Sequence, residues 1–371
     1  MILNPAHNLL GCRFDNLLRL LKLSHWKLDP KRLPQTAVIF FTSLLLYPAA
    51  LLEKAIMAGP IRREKIQDPV FIIGHWRSGT SFLQNVLTRD PALGFSDPVC
   101  SATYPYCRLL APMMRRIQRK ALVDARPMDN LKYGLDFPIE DTFAVSSVTP
   151  YSIILMCSLP NAYDYYVKTA FVEDLSEKEH AEFRRTYDTV LRKLSYMKGH
   201  RRLICKSPDN TCRLRDLMDM YPNAKYIHIY RDPYVTVKST IHMFSCYMER
   251  LRITPPPDTD LEILMEDTIV GIFERMYREY FALKDQIPAE NLIELRYEDF
   301  SDDPMRDIDR IYKHFGFDRS EEARRLQQEH VDSQKGYVKN KFVISPRLRD
   351  KVTEHLGFYM EHYGYTPKTE E

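Results

Sequence analysis

Short apolar runs alternate with helical stretches along most of this chain. Three runs cover 70–73, 201–205 and 226–230, and a fourth covers 292–295. Continuous apolar runs of this length are typical of strands that are buried on both faces of a sheet. Because helical patterns separate the runs, we expect an α/β fold of three layers, with a mainly parallel central sheet flanked by helices.

The same pattern predicts helices in the C-terminal half, at about 260–285, 304–315, 319–330 and 347–362. A polar segment at 332–342 and three consecutive prolines at 255–257 predict loops. Each strand run ends at a glycine or a polar residue. Ligands of open α/β sheets collect at the carboxyl ends of the strands, so we expect the site at that edge.

The N-terminal region differs from the rest of the chain. Apolar residues recur at helical spacing over 14–21, and the apolar segment 37–52 follows. That segment is shorter than the roughly 20 residues of a spanning helix and contains Pro48, so we do not expect it to cross a bilayer. We expect two helices in a basic, apolar region at 1–66, which either packs on a second domain at 67–371 or forms a membrane-surface or substrate-side element.

Composition narrows the function classes. The formal net charge of +3 is too small to indicate a nucleic-acid partner. Residues 1–65 nevertheless hold ten basic and four acidic side chains. Seven cysteines without a CxxC pair indicate a reducing compartment and no structural zinc. No secretory signal is visible, and we therefore expect a cytoplasmic protein. Its N-terminal helices either pack on the domain at 67–371 or contact the membrane peripherally.

The strongest local motif joins the first strand run to a helix. The turn from Gly74 to Gly79 is followed by a helix that begins at Thr80 or Ser81. Backbone N–H groups and a helix N-terminus then point at one place, which predicts an anion site. The spacing matches a Walker A loop, but Thr80 replaces its lysine, which disfavours a nucleoside triphosphatase. An ordinary glycine turn is the structural alternative.

Two arginines supply cations near such an anion. Arg77 lies inside the turn, where its planar guanidinium can bind phosphate or sulfuryl oxygens with two hydrogen bonds. Arg231 follows the third strand run, and Ser239 lies eight residues later on the next helix. Arg231 and Ser239 can bind the same phosphate group. Alternatively, Arg231 and Asp232 only cap that helix.

These residues resemble the sulfotransferase superfamily. Trp76-Arg77-Ser78-Gly79-Thr80-Ser81 is similar to the PRSGTS loop of its bacterial-type branch, with tryptophan in place of proline. The spacing from Arg231 to Ser239 is similar to the 3′-phosphate motif of the family. Further similar segments are LICKSP at 203–208 and RYEDF at 296–300. The resemblance runs from about 68 to 365.

The resemblance implies a P-loop sulfotransferase fold and a 3′-phosphoadenosine 5′-phosphosulfate (PAPS) donor, with adenosine 3′,5′-bisphosphate (PAP) as product and no metal. It implies a donor site made of Arg77, Ser78, Gly79, Thr80, Ser81, Phe82, Arg231, Ser239, Lys335 and Lys339. In this set Phe82 would lie near the adenine ring. Lys335 and Lys339 belong to a segment that loosely resembles the loop closing over PAPS.

The catalytic residues are inferred in the same way. Where cytosolic members have a histidine base, this chain has Pro208, while Lys206 remains to neutralise the sulfuryl oxygens. The segment 137–144 resembles the PxEDEFAL motif, which implies that Glu140 is the general base and Asp141 the second choice. The alternative is that both only cap the following helix. Other candidate bases are Asp97, His75 and His242.

The acceptor is expected to be a small molecule with a hydroxyl group, first of all a lipophilic alcohol such as a sterol or lipid. The apolar N-terminal region and the aromatic segment 104–106 motivate this expectation. Carbohydrate and peptide tyrosine stay open as acceptors. A P-loop kinase, or a protein that binds the nucleotide without turnover, are alternative functions.

Overall fold

The central sheet has five strands. The computed structural model describes residues 7–121, 134–336 and 342–368. The strands are β1 Val70–Ile73, β2 Leu93–Phe95, β3 Arg202–Lys206, β4 Lys225–Tyr230 and β5 Leu292–Arg296. They form one sheet in the order β2-β3-β1-β4-β5. The predicted α/β fold with a mainly parallel, helix-flanked sheet is confirmed.

The register of β1, β4 and β5 explains where polar residues gather. β1 pairs in parallel with β4, with Ile73 opposite His228, and β4 pairs in parallel with β5, with Tyr230 opposite Arg296. All four residues of β1 are buried, as expected for an inner parallel strand. Because the strands are parallel, the segments after β1, β4 and β5 leave the same edge of the sheet.

Fifteen α-helices lie within the described residues. They are α1 Phe14–Leu23, α2 Leu33–Arg63, α3 Thr80–Leu87, α4 Pro98–Ala102, α5 Cys107–Ala121, α6 Thr142–Ser146, α7 Tyr163–Lys168, α8 Glu177–Met197, α9 Leu214–Met220, α10 Pro233–Leu251, α11 Leu261–Leu283, α12 Tyr297–Asp302, α13 Pro304–Phe315, α14 Glu321–Ser333 and α15 Pro346–Tyr363. The four helices predicted for the C-terminal half are confirmed as α11, α13, α14 and α15.

Capping residues explain several helix boundaries. The Asp303 carboxylate accepts the N–H of Arg306 at the start of α13, and Gly316 ends that helix with a φ of 63°. The Asp232 carboxylate accepts the N–H of Tyr234 at 2.8 Å, so the predicted cap of α10 is present. α14 continues to Ser333, slightly into the segment that the sequence pattern assigned to a loop.

The N-terminal region contains the two predicted helices, but the second is longer than its apolar segment. α2 has 31 residues and includes Pro48 in its interior. The helix continues past Leu52 to Arg63, and Glu53 within this extension is buried and paired with Lys193. The stretch Pro30–Arg63 is therefore long and apolar enough to cross a membrane by length and composition, with 28% of its most apolar window buried.

Internal contacts divide the chain into two compact units. One consists of Met1–Gln67, Gly94–Cys205 and Ser245–Asp258, and the other of Asp68–Leu93, Lys206–Phe244 and Thr259–Glu371. We call them the first and the second unit. The division into domains at 1–66 and 67–371 stays a prediction. All seven cysteines are free thiols.

Candidate active site

The turn after β1 requires glycine at its first position. Gly74 has a φ of +141°, and a Cβ there would collide with the backbone carbonyl of Ile229 on the neighbouring strand. The Gly74 N–H donates to Thr211 Oγ1 at 2.8 Å. The backbone at Gly74 therefore passes close to β4 and is fixed by the bond to Thr211. A residue with a Cβ would not fit at this position.

Hydrogen bonds inside the turn fix its shape. Ser78 Oγ donates to the carbonyl of His75 at 2.8 Å, and Thr240 Oγ1 donates to the carbonyl of Trp76 at 3.1 Å. Arg77 has a φ of +68°, a left-handed conformation that costs a non-glycine residue about 1–3 kcal/mol. The surrounding bonds hold this strained residue in place, and the bond from its Nε to Ser239 Oγ orients the guanidinium group.

The two predicted anion motifs meet in the second unit. Arg77 Nε donates to Ser239 Oγ at 3.0 Å. Arg231 Nη1 donates to the Arg77 carbonyl at 3.0 Å. The sequence places these residues more than 150 positions apart, yet the parallel pairing of β1 with β4 brings two guanidinium groups and one hydroxyl to a single place.

Tyr297 is a part of this arrangement that the sequence did not reveal. The guanidinium carbon of Arg231 lies 4.2 Å from the centre of the Tyr297 ring, a cation–π contact. The same ring lies against Gly79, where an added Cβ would overlap it. Tyr297 therefore touches both motifs. The RYEDF motif includes Tyr297 and so marked the segment. The contacts of Tyr297 with Arg231 and Gly79 depend on β5 lying beside β4, which the motif does not show.

Gly79→Ala is expected to damage the loop. The φ of +104° disfavours any side chain, and the new methyl group would overlap the Tyr297 ring. We expect a loss of about 1–3 kcal/mol in the free energy of unfolding together with weaker donor binding. Chemical denaturation and calorimetry with PAP measure the two effects.

Gly271→Ala is the matched control for this glycine. It lies in the interior of α11, and a Cβ there would have nothing within 4 Å. Helix propensity alone should stabilise this variant by about 0.5–1 kcal/mol. Equal stabilities of the two variants would show that the Tyr297 ring moves to accommodate the methyl group and that the loop does not depend on Gly79.

Lys206 and a helix N-terminus bring further positive potential to the turn. Lys206 ends β3 with only 2% of its surface exposed, and its Nζ donates to Ser81 Oγ at 3.2 Å. α3 begins at Thr80, directly after the turn, as predicted. Its first N–H groups and macrodipole favour an anion here. Phe82 is half-buried, with its ring 5.2 Å from that of Phe300.

His75 is enclosed within the loop. Its ring stacks on Phe273 at 4.3 Å, and its Nδ1 lies 2.9 Å from the Trp76 carbonyl. Burial lowers the pKa of His75 to about 3, so the imidazole is neutral near pH 7. This environment favours a structural role over that of a general base.

The candidate carboxylates belong to the first unit. Glu140 is half-buried before α6. Asp141 is buried, and its Oδ2 accepts the hydroxyl of Tyr187 at 2.6 Å. Asp141 lies at the N-cap position of α6, where its side chain makes no capping hydrogen bond. Asp97 pairs with Lys198 at 2.6 Å and caps α4. The role of Glu140 stays a prediction.

The remaining predicted residues contribute less. Lys335 forms an exposed ion pair with Asp332 at 2.8 Å. Lys339 lies outside the described residues. His242 has its ring 5.4 Å from that of Phe342. Within 7–121, 134–336 and 342–368, no three His, Cys, Asp or Glu side chains are grouped to hold a metal ion.

Comparison with known proteins shows which family has this arrangement of residues. The Sulfotransferase family matches residues 69–321, which include the turn, Lys206, Arg231 and Ser239. The chain belongs to the sulfotransferase family. The predicted resemblance is thereby confirmed, and the alternatives of a kinase and of a binding protein without turnover are set aside.

Relatives of this sulfotransferase include a mycobacterial enzyme. Omega-hydroxy-beta-dihydromenaquinone-9 sulfotransferase Stf3 of Mycobacterium bovis is 29% identical over 370 residues, covering 97% of this chain and 92% of the relative. The protein of that name from Mycobacterium tuberculosis gives the same values. The likeness therefore includes the N-terminal helices as well as the part that matches the family.

Solved structures show the same fold. Sulfotransferase STF9 from Mycobacterium avium superposes with a TM-score of 0.69 at 17% identity, covering 96% of this sulfotransferase and 92% of STF9. Sulfotransferase STF1 from Mycobacterium tuberculosis gives a TM-score of 0.63 at 16% identity, with coverages of 92% and 91%. Identities this low support the fold and not the substrate.

Proposed function

We propose that this sulfotransferase transfers the sulfuryl group of PAPS to the hydroxyl of a lipophilic alcohol such as a sterol or lipid, and releases PAP. The observation that supports the donor most strongly is the meeting of Arg77, Arg231 and Ser239. The Arg231 guanidinium and the Ser239 hydroxyl suit a dianionic phosphate, and Arg77, which contacts both, suits the oxygens of the adjoining 5′-phosphosulfate. PAPS differs from adenosine 5′-phosphosulfate by such a phosphate at its 3′ position.

The rest of the donor is assigned to the turn. The N–H groups of Gly79 to Ser81 and the positive end of α3 suit the 5′-phosphate, while the Ser78 N–H donates to the His75 carbonyl at 3.2 Å. Lys206, which reaches Ser81, suits the sulfuryl oxygens. Phe82 lies next to this segment on α3, where a flat ring can contact adenine. Lys335 and Lys339 complete the proposal as cations of the closing loop.

The reaction needs a base and charge neutralisation. In the proposal Glu140 takes the proton of the acceptor hydroxyl as its oxygen bonds to sulfur. The bond between sulfur and the phosphate oxygen breaks, and PAP leaves with both electrons of that bond. Arg77 and Lys206 offset the negative charge that spreads over the sulfuryl and leaving oxygens. No metal is part of this proposal.

Two observations support a lipophilic acceptor, namely the name of a relative and the apolar N-terminal region of the chain. The name of the Stf3 relative specifies a hydroxylated menaquinone derivative as its acceptor. The likeness covers 97% of this chain, including the apolar N-terminal region. Both support a lipid hydroxyl over carbohydrate or peptide tyrosine. The proposal places the enzyme in the cytoplasm, with peripheral membrane contact.

Incubation with ³⁵S-labelled PAPS and a total lipid extract tests donor and acceptor together. We expect label in the solvent-extractable fraction, and none with Arg231→Ala. Adenosine 5′-phosphosulfate, which lacks the 3′-phosphate, should bind at least about a hundredfold more weakly, since it loses two charge-assisted hydrogen bonds.

Two results would contradict parts of this proposal separately. Label that enters only water-soluble carbohydrate or peptide would remove the lipid acceptor and leave the donor assignment intact. Equal binding of the two adenine nucleotides would instead remove Arg231 and Ser239 as the 3′-phosphate site.

A further inference from the structure

α2 buries polar side chains and exposes apolar ones, the reverse of what is expected for a helix on a surface that faces water. Four of its seven buried residues are polar, namely Gln35, Thr36, Ser43 and Glu53. Eight large apolar side chains of the same helix are exposed, with Leu45 at 79% and Phe41 at 65%. A surface helix normally turns its apolar side inward. Exposed apolar patches of this kind mark interaction sites.

Buried hydrogen bonds prevent α2 from turning its apolar side inward. The Glu53 carboxylate accepts the N–H groups of Arg108 at 3.0 Å and Leu109 at 2.8 Å, at the start of α5. It also forms an ion pair with the buried Lys193. Rotation of the helix would break this network and leave a buried charge unpaired, which is costly. The outward apolar face is therefore a fixed property of the first unit.

α5 extends this surface. Its Met114 shares an apolar cluster with Ala50 of α2. Leu109, Met113 and Ile117 recur every fourth residue of α5 and are exposed by 36%, 44% and 52%. Residues four apart lie on one side of a helix, so these three form a second apolar stripe.

The exposed charges carried by α2 and α5 have one sign. The exposed charged residues of the two helices are Lys54, Arg62, Arg63, Arg108, Arg116, Arg119 and Lys120. Within both helices the one acidic residue is Glu53, which is buried. The exposed Asp136 forms an ion pair with Arg115 of α5 at 3.1 Å and offsets the charge of that arginine. Apolar side chains flanked by this basic excess match a membrane surface of anionic phospholipids.

We propose that the outward faces of α2 and α5 form a docking surface for anionic phospholipid membranes, with α2 lying in the membrane plane. A second copy of the chain fits less well, since a symmetric contact would oppose two basic faces. Membrane crossing by α2 would take its buried polar side away from Lys193 and α5. The proposal does not depend on the identity of donor or acceptor.

Flotation with lipid vesicles tests the surface, using the full-length protein without donor or acceptor. Vesicles of phosphatidylcholine with phosphatidylglycerol should bind the protein, vesicles of phosphatidylcholine alone should bind it at least about tenfold less, and salt should weaken binding. The double variant Phe41→Glu/Leu45→Glu and the double variant Arg116→Glu/Arg119→Glu should each lower binding at least about tenfold.

Ile263→Glu is the control, because Ile263 is a 40% exposed apolar residue on α11 of the second unit. It should bind vesicles like the parent protein. All variants should keep the parent's circular dichroism spectrum and melting temperature, since the replaced side chains are exposed.

Three results would overturn the proposal. The first is equal binding to neutral and anionic vesicles. The second is protein that stays with membranes after alkaline carbonate extraction, which would indicate that α2 crosses the bilayer. The third is a dimer in light scattering that Phe41→Glu/Leu45→Glu dissociates, without vesicle binding by the parent. None of these measurements depends on sulfuryl transfer.

Discussion

Replacing Arg77 or Arg231 by alanine is expected to abolish measurable sulfuryl transfer. Each variant removes a guanidinium from the place where Arg77 contacts Ser239 and Arg231 contacts the Arg77 carbonyl. A hydrogen bond to a charged group contributes about 1.5–3 kcal/mol, and loss of one donor to a developing oxyanion costs about 10²–10³ in kcat. Transfer assays with labelled PAPS and calorimetry with PAP measure the losses.

Arg215→Ala is the control for charge, because Arg215 is an exposed arginine of the second unit. It should keep the parent's activity. Arg77→Lys should recover little, since lysine cannot supply the planar pair of donors. The alanine variants should also be non-additive, because their side chains share one network. Parent-like affinity for PAP in both would show that neither arginine binds the donor.

Glu140→Gln is expected to leave donor binding intact and to lower turnover by about 10²- to 10⁴-fold, the usual contribution of a general base. Glutamine keeps the shape of the side chain but cannot accept the proton of the acceptor hydroxyl. Single-turnover assays at saturating PAPS isolate the chemical step, and calorimetry with PAP reports donor binding.

Asp136→Asn is the companion control, since Asp136 is a nearby acid whose side chain is 86% exposed. It should not change turnover. Asp141→Asn should lower the melting temperature, because the buried carboxylate that accepts the Tyr187 hydroxyl is lost. If Glu140→Gln turns over like the parent protein, Glu140 is not the base and another carboxylate must be sought.

Local chemistry made much of the fold predictable. The strand β1 was visible because a parallel strand buried on both faces leaves an uninterrupted apolar run. The start of α3 was visible because a glycine turn before a helix has a recognisable spacing. The length of α2 was not predicted. Its apolar run ends before Glu53, and that run did not show that the helix continues to Arg63 with the Glu53 carboxylate buried against Lys193 and α5.

The sequence by itself determined the family, the α/β fold and the two arginine motifs, because each depends on residues close together in the chain. The tertiary structure decided that Arg77 meets Ser239, that Tyr297 touches both Arg231 and Gly79, and that α2 turns its apolar side outward. These contacts depend on which strands are neighbours and on which buried partners hold a helix. Hydrophobic periodicity carries no information about either.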